Sequence, residues 1–129
     1  MRSAVLSAAD SVLLVEVPET EEEMRLGLSG RTSIPDGRGM LFDMRAPGRW
    51  PFSTRAMLVP IDLVMLKDDG TVVEIVPGSP GKLEPIVGTH LYSWVLELPG
   101  GWARRHGLMP SHVVRPCAPG WHSLHELRR

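Results

Sequence analysis

The sequence predicts a mainly β domain, either a small antiparallel β-sandwich or a partly open barrel, carrying two short helices. Two observations lead there. The apolar residues fall in short Val-, Ile- and Leu-rich runs of strand length, and thirteen glycines with twelve prolines, about a fifth of the 129 residues, punctuate the spaces between them. The segments are also joined by hairpin-length connections, without the strand–helix alternation of a parallel sheet.

The length suits one domain with a core of its own. Fourteen basic against fifteen acidic residues give a net charge of −1, which removes the electrostatic case for nucleic acid or an anionic membrane as main partner. Cys117 stands alone, so no intramolecular disulfide forms. No apolar run approaches the roughly 20 residues that span a bilayer. In "MRSAVLSAADSVLLVEV" the segment "SAADS" interrupts any signal core, so a cytoplasmic location is expected. Residues 1–116 read as the domain, with a family-like core over 12–116, and 117–129 as a tail that packs through Trp121 and Leu124 or frays.

Taken in order, "SVLLVEV" (11–17) is a strand ended by Pro18. Thr20 and Glu23 form a capping box, and Glu21–Glu23 sit where a helix dipole favours acid, so a helix of two or three turns begins there. "MLFDM" (40–44), "PFSTRAM" (51–57) and "IDLVMLK" (61–67) are strands, the last two separated or bent at Pro60. Asp69-Gly70 between apolar runs predicts a type I′ hairpin. A strand covers about 92–98, a short helix covers "GWARRHG" with Gly107 at its end, and "SHVVRP" (111–116) is a last strand.

Four ordered stretches resemble the bacterial and archaeal domain-of-unknown-function family 192. They are "VEVPETEEEMRLGLSGR" with its Gly27, Leu28 and Arg31, "GRGMLFDM", "PFSTRAMLVPIDLVMLKDDGTVVEI" and "YSWVLELPGGWARRHGL". The resemblance implies a mainly β fold and no particular reaction. The family's central block usually opens Phe-Trp-Met-Lys-Asn-Thr, whereas this chain has Phe52, Ser53, Thr54, Arg55, Ala56 and Met57. A site that used that Trp or Asn in relatives is altered here. Many relatives look exported; this N-terminus does not.

Arg55 and Asp62 are charges in an otherwise apolar block. A bulge at Pro60 brings them to one rim, where the carboxylate either pairs with the guanidinium or simply accepts backbone N–H bonds. Arg31 either complements the end of its helix or reaches Asp62 or Glu97. By alternation Glu97 shares a face with Ser93 and Val95, opposite Trp94, Leu96 and Leu98, and is expected to face solvent unless the sheet curves into a pocket. His112, Cys117, His122 and His125 are competent zinc ligands, but their spacing matches no standard site, so neither metal nor cofactor is expected. No nucleophile elbow or phosphate-cradling loop appears.

The functional expectation is a ligand-binding or accessory module for a small polar or anionic molecule, with a cleft lined by Arg31, Phe52, Arg55, Asp62 and Glu97. The alternatives are a hydrolase using Asp62 as general base or metal ligand, and a structural or protein-interaction domain. Whether the chain is an enzyme is left open, leaning against.

Overall fold

The computed structural model describes residues 1–128. Its strands are β1 (Arg2–Ala8), β2 (Ser11–Val17), β3 (Arg38–Gly48), β4 (Ile61–Leu66), β5 (Val72–Gly78), β6 (Tyr92–Pro99) and β7 (Arg115–Pro116). Helices α1 (Glu21–Leu26) and α2 (Trp102–His106) and a 3₁₀ turn over Leu124–Arg128 complete it. The strands form one sheet in the order β5-β4-β6-β3-β2-β1-β7, curled as a half-barrel. Of the two expected arrangements the chain adopts the partly open barrel; there is no second sheet to make a sandwich among the described residues. No helix of these residues is long and apolar enough to cross a membrane.

All strand pairs are antiparallel except β2 and β3, which run parallel with α1 in the crossover between them. This strand–helix–strand unit supplies the one parallel pairing in a sheet that is otherwise antiparallel, where hairpin-length connections suggest a mostly antiparallel one. Its helix starts at the anticipated capping box: Glu23 N–H donates to Thr20 Oγ1 (3.1 Å) and Thr20 N–H to Glu23 Oε1 (3.2 Å). It ends after six residues, shorter than expected, because Gly27 takes φ +52°, outside helical space.

Three other expectations are corrected. Residues 1–8 carry an unanticipated strand, turned into β2 by Ala9 and Asp10, both at positive φ. "PFSTRAM" is not a strand. Phe52 makes one isolated bridge to Ile86, and Thr54 O accepts from Met57 N–H and Gly81 N–H, so the backbone closes locally instead of forming a ladder. The β4–β5 connection is a three-residue loop, Asp68-Asp69-Gly70, with only Gly70 at positive φ; Gly70 N–H donates to Lys67 O and Lys67 N–H to Thr71 O. This is a type I turn closed by a left-handed glycine rather than a type I′ turn.

The sheet is covered on both faces. One face joins Leu13, Val15, Val64, Trp94, Leu96 and Leu98 to Trp102 of α2 and to Leu124 and Leu127. The other joins Met40, Phe42, Leu63, Met65 and Val95 to Leu28, Met57 and Ile86. The chain's end therefore packs instead of fraying. Arg128 fastens it further, with its guanidinium on Asp43 (2.9 Å) and Asp68 (2.7 Å) and lying over the Trp94 ring at 4.5 Å. Leu124 is wholly buried. Leu124→Ala is expected to cost about 2–5 kcal/mol, read as a lowered urea midpoint with an unchanged slope.

Candidate functional site

Strand alternation determines which carboxylates can meet. Ile61, Leu63 and Met65 face the α1 side of the sheet, while Asp62 lies on the side of Val64, Leu66 and α2. Glu97 is paired with Met40 and Leu63 and shares the α1 side with Val95. Asp62 and Glu97 are thus on opposite faces, and no one cleft holds both.

Asp62, 6% exposed, acts as an external cap for α2. Gly101 N–H donates to its Oδ1 (3.0 Å) and Ala103 N–H to its Oδ2 (2.9 Å). The helix has no side-chain cap of its own, so these bonds answer two otherwise orphaned donors. Arg55 does not reach Asp62. It is exposed in the 51–60 loop, where its N–H donates to Ser53 Oγ. Arg31 sits beside the α1 side but is bound in a fork to Glu16 (2.5 and 3.2 Å), which holds its guanidinium pKa above the ordinary value. Both partners are more than a third exposed, so the pair contributes little to stability.

Phe52 and Glu97 do come together. They line a cavity of about 350 Å³ between α1, β3 and the 51–57 loop, with Met24, Leu28, Phe42, Met44 and Met57 as further walls. Ser29, Ser53 and Arg25 add polar groups. The Phe42 and Phe52 rings meet edge to face, 5.1 Å between centroids. Glu97 is 4% exposed, correcting the expectation that it faces solvent: the second face of the sheet is also covered, by Leu28, Met57 and the side chains around them. Its Oε1 has no hydrogen-bond partner among the described residues. Burial alone pushes its pKa up to about 8, so the carboxyl is protonated at neutral pH. A Cβ at Gly27 would lie 3.9 Å from Oε1 and 3.3 Å from the Phe42 ring, so a side chain there would crowd the ring beside the carboxyl.

Sequence reasoning did not anticipate the methionine walls or the role of Gly27. The available signal was Met24, Leu28 and Gly27 together in one short helical block.

Elsewhere, Ser11 Oγ lies 3.0 Å from His106 Nδ1, and His106 Nε2 lies 2.7 Å from Asp36 Oδ2. The order resembles a nucleophilic triad, but Asp36 is 56% exposed and is also bound by Arg105. None of the three lines the Glu97 cavity. With Trp102 stacked on His106 at 4.1 Å, the cluster ties the β1–β2 turn to α2. Met109 N–H donates to His112 Nδ1, the main-chain N–H of His122 donates to Glu126 Oε1, and His125 Nδ1 lies 2.8 Å from Ser123 Oγ. No three His, Cys, Asp or Glu residues converge as metal ligands among the described residues.

The model of domain-of-unknown-function family 192, described as an uncharacterized ACR, matches residues 4–116. The chain belongs to this family. Two solved structures share its fold. One, from Sinorhizobium meliloti 1021 and provisionally titled a transcription regulator, is 24% identical with a TM-score of 0.80, covering 88% of this chain and 92% of that one. The other, a protein of unknown function from Novosphingobium aromaticivorans DSM 12444, is 27% identical with a TM-score of 0.76, covering 87% and 82%. No curated protein matches the chain. In this family 192 member the two buried carboxylates make opposite predictions.

Asp62→Ala strips two N–H groups of their acceptor and is expected to cost about 1–3 kcal/mol, seen as a fall of several degrees in Tm. Glu97→Gln should do the reverse. The folded state keeps the Glu97 proton above the pH at which the unfolded chain, with the ordinary value of 4.5, has lost it. The wild type therefore loses stability as pH rises from about 4.5 to about 8. Across that window Glu97→Gln should gain stability relative to wild type, and Tm curves for the two proteins that stay parallel would count against a protonated Glu97.

Proposed function

We propose that this protein is a binding module for a small molecule, which enters the cavity beside α1 and sets one polar group against Glu97. The observation that carries the reading is the buried carboxyl with an unpartnered oxygen in a cavity walled mainly by methionine, leucine and phenylalanine. Natural cores rarely leave such an atom unanswered, and mostly apolar pockets with a few fixed polar groups are the usual form of small-molecule sites. Three thioether side chains make the walls adaptable.

The lining favours a different ligand from the polar or anionic one expected at first. Arg31 is engaged by Glu16, and Arg55 lies outside the lining, so the guanidinium groups that argued for an anion are not at the cavity's floor. An apolar body with one hydrogen-bonding end suits the walls better. The hydrolase alternative has less support, because both Asp62 oxygens already accept backbone N–H bonds.

A thermal-shift panel of small apolar molecules bearing an alcohol, amide, amine or carboxylate tests the reading. At least one class should raise Tm, by the mass-action stabilisation of about 2.7 kcal/mol at a hundredfold excess over Kd. Met44→Trp, which fills the cavity from β3, should remove the shift. A panel inert at millimolar concentration, or a shift that survives Met44→Trp, rejects the proposed site.

A further inference from the structure

We infer that the Glu97 cavity selects organic cations, small molecules with an apolar body and an ammonium group. The inference rests on the reading of this cavity as a ligand site and names the chemistry it prefers. Glu97 lines the cavity, and its Oε1 is buried and unpartnered beside Gly27, which brings no side chain against it. An ionised carboxylate there lacks both counter-charge and hydrogen-bond donors, and an ammonium supplies both. The walls agree with that choice. The Phe42 and Phe52 side chains line the cavity, and aromatic rings are favourable neighbours for a cation that meets their faces. Met24, Met44 and Met57 offer polarizable contacts to the apolar body.

A carboxylate ligand would meet an acid at the floor, and the one base in the lining, Arg25, is solvent-exposed. Arg25 is the one charged side chain besides Glu97 in the lining; it is exposed on α1, where solvent screens its repulsion of a cation. The lining residues from β3 and the 51–57 loop carry no titratable group, and Asp62 belongs to the other face. In the free protein at neutral pH the carboxyl holds its proton. When an ammonium ion binds, that proton passes to the buffer, the carboxylate pairs with the cation, and no bond in the ligand changes.

The experiment is calorimetric titration of the full chain with phenethylamine, with phenethyl alcohol as neutral counterpart and phenylacetate as anionic one. Titrations run in buffers of different ionisation enthalpy. Phenethylamine should bind at least about tenfold tighter than either counterpart and release close to one proton, and its affinity should rise toward about tenfold per pH unit below the Glu97 pKa. Glu97→Gln should abolish the preference, the proton release and the pH dependence while still binding the alcohol. Proton release by the wild type decides the matter even if that variant misfolds. Tighter binding of the alcohol or phenylacetate, or amine binding without proton release, overturns the cation preference and leaves the binding module standing. No binding of any of the three at millimolar concentration overturns both.

Discussion

Burial of β6 on both faces is the constraint on which the rest of the structure depends. This strand lies between β3 and β4, and every residue from Tyr92 to Leu98 is buried. A strand in that position normally carries apolar side chains throughout, and β6 obeys except at Ser93 and Glu97. Covering its α1 face requires the β2–α1–β3 crossover and the 51–60 loop to fold over the sheet. These same segments leave the cavity, so the site follows from how that face is closed.

The two buried carboxylates show how environment decides the role of one chemical group. Asp62 receives two backbone N–H bonds from the start of α2, and its charge is answered. Glu97, one strand away on the other face, has no answer for Oε1, and burial holds on its proton. Strand alternation is the whole cause of the difference: a one-residue slip of β6 would move Glu97 to the α2 face and drive Trp94, Leu96 and Leu98 out of their core. The hydrophobic pattern of β6 thus places the carboxyl where desolvation is severe.

Local signals were legible in the sequence. The capping box at Thr20, the strand at 11–17, the strand expected over 61–67 and formed over 61–66, and the glycine closing α2 follow from short-range chemistry, and the alternation of Ile61, Leu63 and Met65 against Asp62 was readable residue by residue. What was hidden depends on long-range cover. Glu97 looked solvent-facing because alternation says which side chains share a face, not whether that face is covered. Arg31, Arg55 and Asp62 looked convergent because spacing along the chain does not reveal that Arg31 meets Glu16 or that Asp62 points toward α2. The first strand escaped notice because its turn uses Ala9 and Asp10 at positive φ instead of the Asn-Gly or Asp-Gly that marks such hairpins.

The departure of the central block has a definite place in the fold. Phe52 and Ser53 both line the Glu97 cavity, and Ser53 stands at the position where the block of the family usually carries tryptophan. A short side chain there leaves space that an indole would fill, and it removes a possible N–H donor from the wall. The change of Lys to Arg, by contrast, falls at the exposed Arg55, outside the lining. The departure therefore bears on the volume and polarity of the cavity rather than on the charge of its floor, which Glu97 alone determines. On the proposed binding reading, a wall with fewer donors of its own leaves the missing partner of Glu97 Oε1 to be supplied by the ligand.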